Sequence, residues 1–251
     1  MTKLSVNINK IALLRNSRGR NYPDVCAFAE RCLQLGADGI TLHPRPDQRH
    51  ARYSDVIELL AVTAAHGREL NVEGNPTAEF LDVVLRARPA QCTLVPDSPD
   101  QLTSDHGWDL VRDAAALRPV LARLRDAGIR SSLFIDAENP HLAQARELGA
   151  DRVELYTEPF AETFGSERSP AVLAAFRRAV GRAMDAGLGV NAGHDLNLDN
   201  LASFLTLPDI LEVSIGHALI VESIDMGLPA VLAGYAAIIA EARAAAPVSG
   251  T

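Results

Sequence analysis

Four of the chain's seven histidines, His43, His50, His194 and His217, stand just behind short apolar runs, and Glu73 ends another such run. Imidazoles with a pKa of ~6.5 both take and give protons around neutrality. A carboxyl joins such a relay when burial raises its pKa. The set therefore suits repeated proton transfer. A lone histidine at such a place is more often structural, but four in matching places point to a shared site. Other polar groups hold similar positions: Asn7, Asn9 and Lys10, then Arg45, Asp136, the run Tyr156-Thr157-Glu158, and Asp195 and Gly216 beside two of the histidines.

Charge adds a second feature. Residues 1–52 hold nine Lys or Arg against four Asp or Glu, a net +5, in a chain whose total is −8. Arginine forks suit phosphate, so Arg15, Arg18, Arg20, Arg45 and Arg49 suggest capture of an anion. The competing explanation is a set of surface arginines paired with nearby acids. Gly193 and Gly216 suggest a second anion contact, made by backbone N–H groups at a helix start. Two phosphorylated substrates fit this pattern, and a single phosphate held from both sides fits nearly as well.

Two rival chemistries are weaker. The chain has only two lysines, Lys3 and Lys10, so a Schiff-base enzyme would have to rely on Lys10, which lacks apolar neighbours to depress its pKa. A zinc hydrolase could draw on His43, His194, His217 and Glu73, but Asn7-Ile8-Asn9 stands where a histidine pair would be wanted.

These residues need a scaffold that brings them together. Helical patterns end four times in glycine followed at once by an apolar run, at Gly36, Gly128, Gly149 and Gly187. Helix, glycine, short buried strand is the rhythm of βα repeats. Extending it predicts strands over Leu4–Ile8, Gly39–His43, Glu69–Glu73, Gln91–Val95, Arg130–Ile135, Asp151–Leu155, Gly189–Ala192 and Leu211–Ile215. Helices are predicted over Val25–Leu35, Asp55–His66, Ala78–Arg88, Ser169–Ala186 and about Leu228–Ala244. Pro96 to Gly128 forms a longer insert that begins as a loop. Eight units in 251 residues predict one α/β domain, a closed (β/α)8 TIM barrel with extra helices. An open doubly wound sheet is the alternative, but no GxGxxG follows the first strand. In a barrel, strand C-terminal ends converge on one mouth, which is where the reactive groups fall.

Composition narrows the class further. A formal charge of −8 argues against a general nucleic-acid or anionic-membrane binder. Three cysteines, Cys26, Cys32 and Cys92, without CxxC spacing read as buried free thiols in a reducing compartment. No uninterrupted apolar stretch reaches the ~18 residues of a membrane helix, and the N-terminus lacks a signal peptide's apolar core. A soluble cytoplasmic protein is expected.

Seven segments, VNINKIALLRNSRG, GADGITLHPRPDQRH, LNVEGNPT, LVPDSPDQLTS, SLFIDA, VNAGHDLN and SIGHALI, together resemble the pyridoxine 5′-phosphate synthase family of vitamin B6 biosynthesis. They occur in family order across residues 6–220. The resemblance implies a barrel that condenses 3-amino-2-oxopropyl phosphate with 1-deoxy-D-xylulose 5-phosphate, giving pyridoxine 5′-phosphate, phosphate and water, with no metal or organic cofactor. It implies His43 as general base, Glu73 as a second acid–base group and His194 as proton donor. Asn7, Arg18, Gly216 and His217 would hold the amino-ketone phosphate. Arg45, His50 and Thr103 would hold the deoxyxylulose phosphate. A homo-octamer built from dimers is also implied.

Three departures stand out. Asn9-Lys10 replaces the family's common Asp-His, Asp195 replaces a common glycine, and Glu73-Gly74-Asn75 replaces the more familiar Glu-Met-Ala. Asn9 and Lys10 can still contact the sugar phosphate, and Asp195 can still offer its backbone. The alternatives to a B6 enzyme are another barrel acting on a sugar phosphate, such as an isomerase or lyase, and a non-catalytic phosphosugar-binding barrel.

Overall fold

The computed structural model describes residues 2–98, 101 and 103–245. Met1, Pro99, Asp100, Leu102 and 246–251 lie outside the described residues, and with them three residues of the loop expected after the fourth strand. Eight parallel strands close into a barrel in chain order. They are β1 (Lys3–Asn7), β2 (Gly39–Leu42), β3 (Glu69–Gly74), β4 (Gln91–Leu94), β5 (Arg130–Ile135), β6 (Arg152–Tyr156), β7 (Gly189–Gly193) and β8 (Ile210–Ile215). Each expected strand is present to within a residue or so. The four glycines that punctuate the sequence all adopt positive φ, between 74° and 106°, where a side chain would be strained.

Helices α1 (Asn9–Asn16), α2 (Val25–Gln34), α3 (Tyr53–Ala65), α4 (Ala78–Ala87), α5 (Ala114–Asp126), α6 (Gln144–Leu148), α7 (Glu158–Thr163), α8 (Ser169–Asp185), α9 (Leu201–Phe204), α10 (His217–Met226) and α11 (Leu228–Ala245) surround the barrel. Side-chain caps set two of the starts: Asp24 accepts from the Ala27 N–H and Thr77 from that of Phe80. Helix α11 is apolar and long enough to cross a membrane by length and composition. One of its faces, Val231, Leu232, Tyr235 and Ile239, is nevertheless buried in the core, and Tyr235 donates a hydrogen bond to Glu222 of α10.

Strand residues alternate strictly between two environments. Val6, Ile40, Leu42, Val72, Leu94, Leu133, Val153, Leu155 and Val213 face the helices and are fully buried. Each such side chain contributes about 1.5–3 kcal/mol relative to exposure, so this outer shell supplies much of the fold's stability. The inward residues are mainly polar, where barrels of this kind usually place branched aliphatics. Ser5 bonds Thr41 at 2.7 Å, Thr93 donates to Asn71 at 3.1 Å, and Thr93 also donates to Glu154 at 3.3 Å. Nearer the strand N-termini, Gln91 donates across the lumen to Glu212 at 3.1 Å, and Arg130 pairs with Glu69 at 2.6 Å.

The lumen carries several carboxyls in little water. Burial, reinforced by Glu212, raises Glu154 to about 8, although the Thr93 hydroxyl favours its charged form. Burial also raises Glu212, against the pull of Arg152 and Arg130. For Glu69, burial is overcome by its bonds from Arg130 and Lys3, which hold it down to about 2. Two neutral or shared protons near the axis are the cheapest way to keep Glu154 and Glu212 inside.

A second buried charge pair ties the first two loops together. Arg15 at the end of α1 donates to both oxygens of Asp55 in α3, at 2.7 and 2.9 Å, and to the His50 carbonyl at 3.1 Å. Asn16 donates to the carbonyls of Gln48, Arg49 and His50. The β1 and β2 loops therefore move as one piece.

Two stability measurements follow from these contacts. Asp55→Ala, which strands the Arg15 guanidinium in the core, should cost about 3–5 kcal/mol as read from the urea midpoint, with Arg15→Met/Asp55→Leu recovering most of it. Glu154 binds a proton in the folded chain that the unfolded chain has lost between the ordinary carboxylate range and pH 8, so its contribution to stability falls as pH rises through that window. Glu154→Gln should accordingly gain on the wild type steadily from pH 5 to pH 8; parallel stability curves would show that Glu154 is ionised throughout.

Candidate active site

The C-terminal ends of the strands open into a cavity of about 510 Å³. Of the ten residues the resemblance assigns and the three at departures from it, twelve line it: Asn7, Asn9, Lys10, His43, Arg45, His50, Glu73, Thr103, His194, Asp195, Gly216 and His217. Arg18 does not. Helix α1 ends at Asn16, and Arg18 sits in the following turn, exposed, with its N–H bonded to the Arg15 carbonyl. Asp136 is not among the lining residues either; its carboxylate accepts from the Gly107 N–H and anchors the insert over β5.

One side of the cavity is built by β1, β2 and β3. Asn9 opens α1 and accepts the His43 N–H at 2.9 Å, while Asn7 accepts the Asn9 N–H at 3.0 Å and donates to Glu73 at 3.4 Å. His43 is buried and pushed well below its ordinary pKa, first by burial and then by Arg45, His50 and Arg49. It is a neutral imidazole at neutral pH, able to accept a proton. Glu73 is shifted the other way, by burial and by Glu154, Glu212 and Asp97, with Arg45 opposing. A buried base and a buried acid thus stand on neighbouring strands, their pKa values driven apart by surroundings.

The basic surplus of residues 1–52 is divided between the two explanations offered for it. Arg15 is consumed by Asp55, and Arg18, Arg20 and Arg31 are exposed. Arg52 donates to Asn16. Lys10, Arg45 and Arg49 line the cavity, with Arg49 paired to Asp47 at 2.6 Å. Arg45 donates to Asp97 at 2.5 Å and to the Gln101 carbonyl at 3.0 Å, while its buried Nε has no partner among the described residues. His50 lies beside them with its pKa lowered to about 4 by burial, Arg45 and Arg49, so the ring is neutral. Its Nδ1 accepts from the Ala51 N–H at 2.9 Å, which leaves the proton on Nε2 as a donor for an anion.

The other side comes from β6, β7 and β8. Glu154 lines the cavity as well as the lumen, and sequence reasoning missed it. The signal was there: in RVELY the polar residues alternate with apolar ones, which turns Glu154 inward. Gly193 serves this carboxyl, since a Cβ there would collide with a Glu154 oxygen. Gly216 similarly gives way to Asn7, whose Cβ would stand 2.9 Å from any side chain at that position. Both glycines thus make room for neighbouring site residues, in addition to any approach of a ligand. Gly216 also precedes α10, whose first turn has no side-chain cap; Gly216, His217 and Ala218 border the cavity, and such a helix start favours an anion. Val95, Phe134 and Tyr156 form a small apolar cluster at the mouth, to which the insert is fixed by the Trp108 indole bond to the Leu94 carbonyl.

His194 and Asp195 follow β7 with φ of 90° and 59°. Left-handed backbone costs a non-glycine residue about 1–2 kcal/mol, so this turn is held by its surroundings. Thr157 does so by donating to the carbonyls of Gly193 and His194. Among the described residues no group of three His, Cys, Asp or Glu side chains is placed to hold a metal ion. The zinc arrangement considered from the sequence is therefore not assembled by those residues.

Comparison with known proteins bears on the same residues. The family described as "Pyridoxal phosphate biosynthesis protein PdxJ" matches residues 4–241. The chain is 55% identical over 247 residues to pyridoxine 5′-phosphate synthase of Xanthomonas campestris pv. campestris strain B100, covering 95% of this chain and 96% of that one. It is 53% identical over 235 residues to the same enzyme of Xylella fastidiosa strain M23, covering 90% of each. Among solved structures, thiamine phosphate pyrophosphorylase from Pyrococcus furiosus superposes with a TM-score of 0.61 at 16% identity, over 96% of each chain, which speaks to the barrel alone. The chain belongs to the pyridoxine 5′-phosphate synthase family.

Proposed function

We propose that the chain condenses 3-amino-2-oxopropyl phosphate with 1-deoxy-D-xylulose 5-phosphate to form pyridoxine 5′-phosphate, phosphate and water. The observation that carries this reading is that nine of the ten residues the resemblance assigns, together with Asn9, Lys10 and Asp195, line one cavity in a chain of this family. The chemistry needs an amine to add to a ketone, followed by loss of water and phosphate as the ring closes. The nucleophile is the substrate's own amine, in keeping with a chain that has two lysines.

The roles follow from the environments. His43, kept neutral by burial and by the arginines, is the group assigned to take a proton. Glu73, its carboxyl raised by burial and by Glu154, gives a proton and takes one back, with Glu154 beside it on the lumen side to share the load. His194 delivers the proton that lets a hydroxyl leave as water. Arg45, His50 and Thr103 face one phosphate, supported by Arg49 and Lys10. Asn7, Gly216, His217 and the open first turn of α10 face the other. Arg18 is left out of this assignment because it stands outside the cavity. No metal or organic cofactor is assigned. A homo-octamer in the cytoplasm belongs to the same reading, and the exposed Leu14, Val221 and Ile224 on neighbouring helices α1 and α10 give it apolar surface to cover.

The test is to incubate the purified chain with both substrates and detect pyridoxine 5′-phosphate by mass and absorbance. Absence of product where both ligands bind would overturn the reading in favour of a binding barrel. Glu73→Gln is expected to abolish turnover while leaving phosphate-ligand affinity within a few-fold; normal turnover in that variant would remove Glu73 from the mechanism.

A further inference from the structure

The turn after β7 does more than place His194 in the cavity. An Asp195 carboxylate oxygen lies 3.0 Å from Nδ1 of His194, and Thr103 Oγ1 lies 3.1 Å from Nε2 of the same ring. An ionised carboxylate can only accept, so Nδ1 carries the hydrogen and Nε2 is the nitrogen that changes protonation. Asp195 stays ionised to accept it, because the His194 hydrogen bond holds its carboxyl below the ordinary range despite partial burial, with His217 and Lys10 helping. The ring is further fixed by Tyr156, whose ring packs edge-on at 5.1 Å.

The contact exists only because both residues take left-handed backbone. A glycine at position 195 would hold that conformation without strain and supply the same backbone, so the aspartate's side chain is what the strain accompanies. We propose that Asp195 is a positioning residue for the proton donor: its carboxylate fixes the His194 ring with the hydrogen on Nδ1 and turns Nε2 to the cavity beside Thr103. This inference rests on the reading of His194 as the donor.

Other charged or titratable groups border the ring and enter any pH effect. Tyr156 donates to Glu158 at the start of α7, Glu154 stands lower on β6, Lys10 opens α1 and His217 opens α10. None of these replaces a carboxylate at Nδ1. Loss of the Asp195 carboxylate therefore removes the acceptor that holds the hydrogen on Nδ1.

The experiment is NMR of the His194 ring nitrogens in the wild type, D195N and D195G, assigned with H194N, alongside kcat and thermal melts. D195G should lower the share of the ring that carries its hydrogen on Nδ1, read from the ring nitrogen shifts, and lower kcat about tenfold, with D195N between it and the wild type. D195G should melt no lower than the wild type, an outcome a merely structural role would not give. An unchanged tautomer and kcat in D195G, with H194N inactive, would overturn the role of Asp195 alone. Normal turnover in H194N would instead overturn the donor reading, and the catalytic part of this inference with it.

Discussion

Glu73, Glu154 and Glu212 lie buried in one barrel lumen; burial raises all three, Glu154 and Glu212 raise Glu73 further, and Glu212 raises Glu154. Like charges in so little water cannot all ionise, and that constraint shapes the rest of the molecule. The apolar contacts that stabilise the barrel are displaced to its outer face, where strands meet helices. The lumen is lined instead by hydroxyls and amides, from Ser5 and Thr41 to Asn71 and Thr93, which satisfy the carboxyls without neutralising them. Cations are kept near the strand N-termini, where Arg130 and Lys3 ionise Glu69 fully. The protons remain near the mouth, where the reacting groups are.

The mouth inverts this pattern. Phosphorylated substrates are anions, and they meet Arg45, Arg49 and Lys10 on the loops and the open start of α10 rather than the buried acids. The same arginines depress His43 and His50, so the positive field that attracts phosphate also keeps these imidazoles neutral. Binding and proton chemistry are thus two consequences of one charge distribution. The paired loops of β1 and β2, locked by Arg15–Asp55 and by Asn16, hold that distribution in place.

Much of this was legible in the sequence, for identifiable reasons. Glycines that end helices gave away the strand starts, because only the left-handed region closes a helix so tightly before a strand. Once strands are placed, the fold fixes which residues share a mouth, and twelve of the candidates line one cavity. Glu154 escaped because a polar residue inside a strand reads as a blemish in a hydrophobic run, although the alternation of RVELY turns it inward. Arg18 does not line the cavity because its position depends on where α1 ends, and two residues past a helix terminus suffice to swing a side chain out. The His194–Asp195 contact was invisible, since it arises from two φ angles that no spacing encodes.

Protons held by the buried carboxyls are the centre of this account, and neutron diffraction observes them directly. From crystals of the ligand-free protein exchanged into heavy water at neutral pD, a deuteron is predicted on a carboxyl oxygen of Glu73, Glu154 or both. Bare carboxylates at both positions would contradict it.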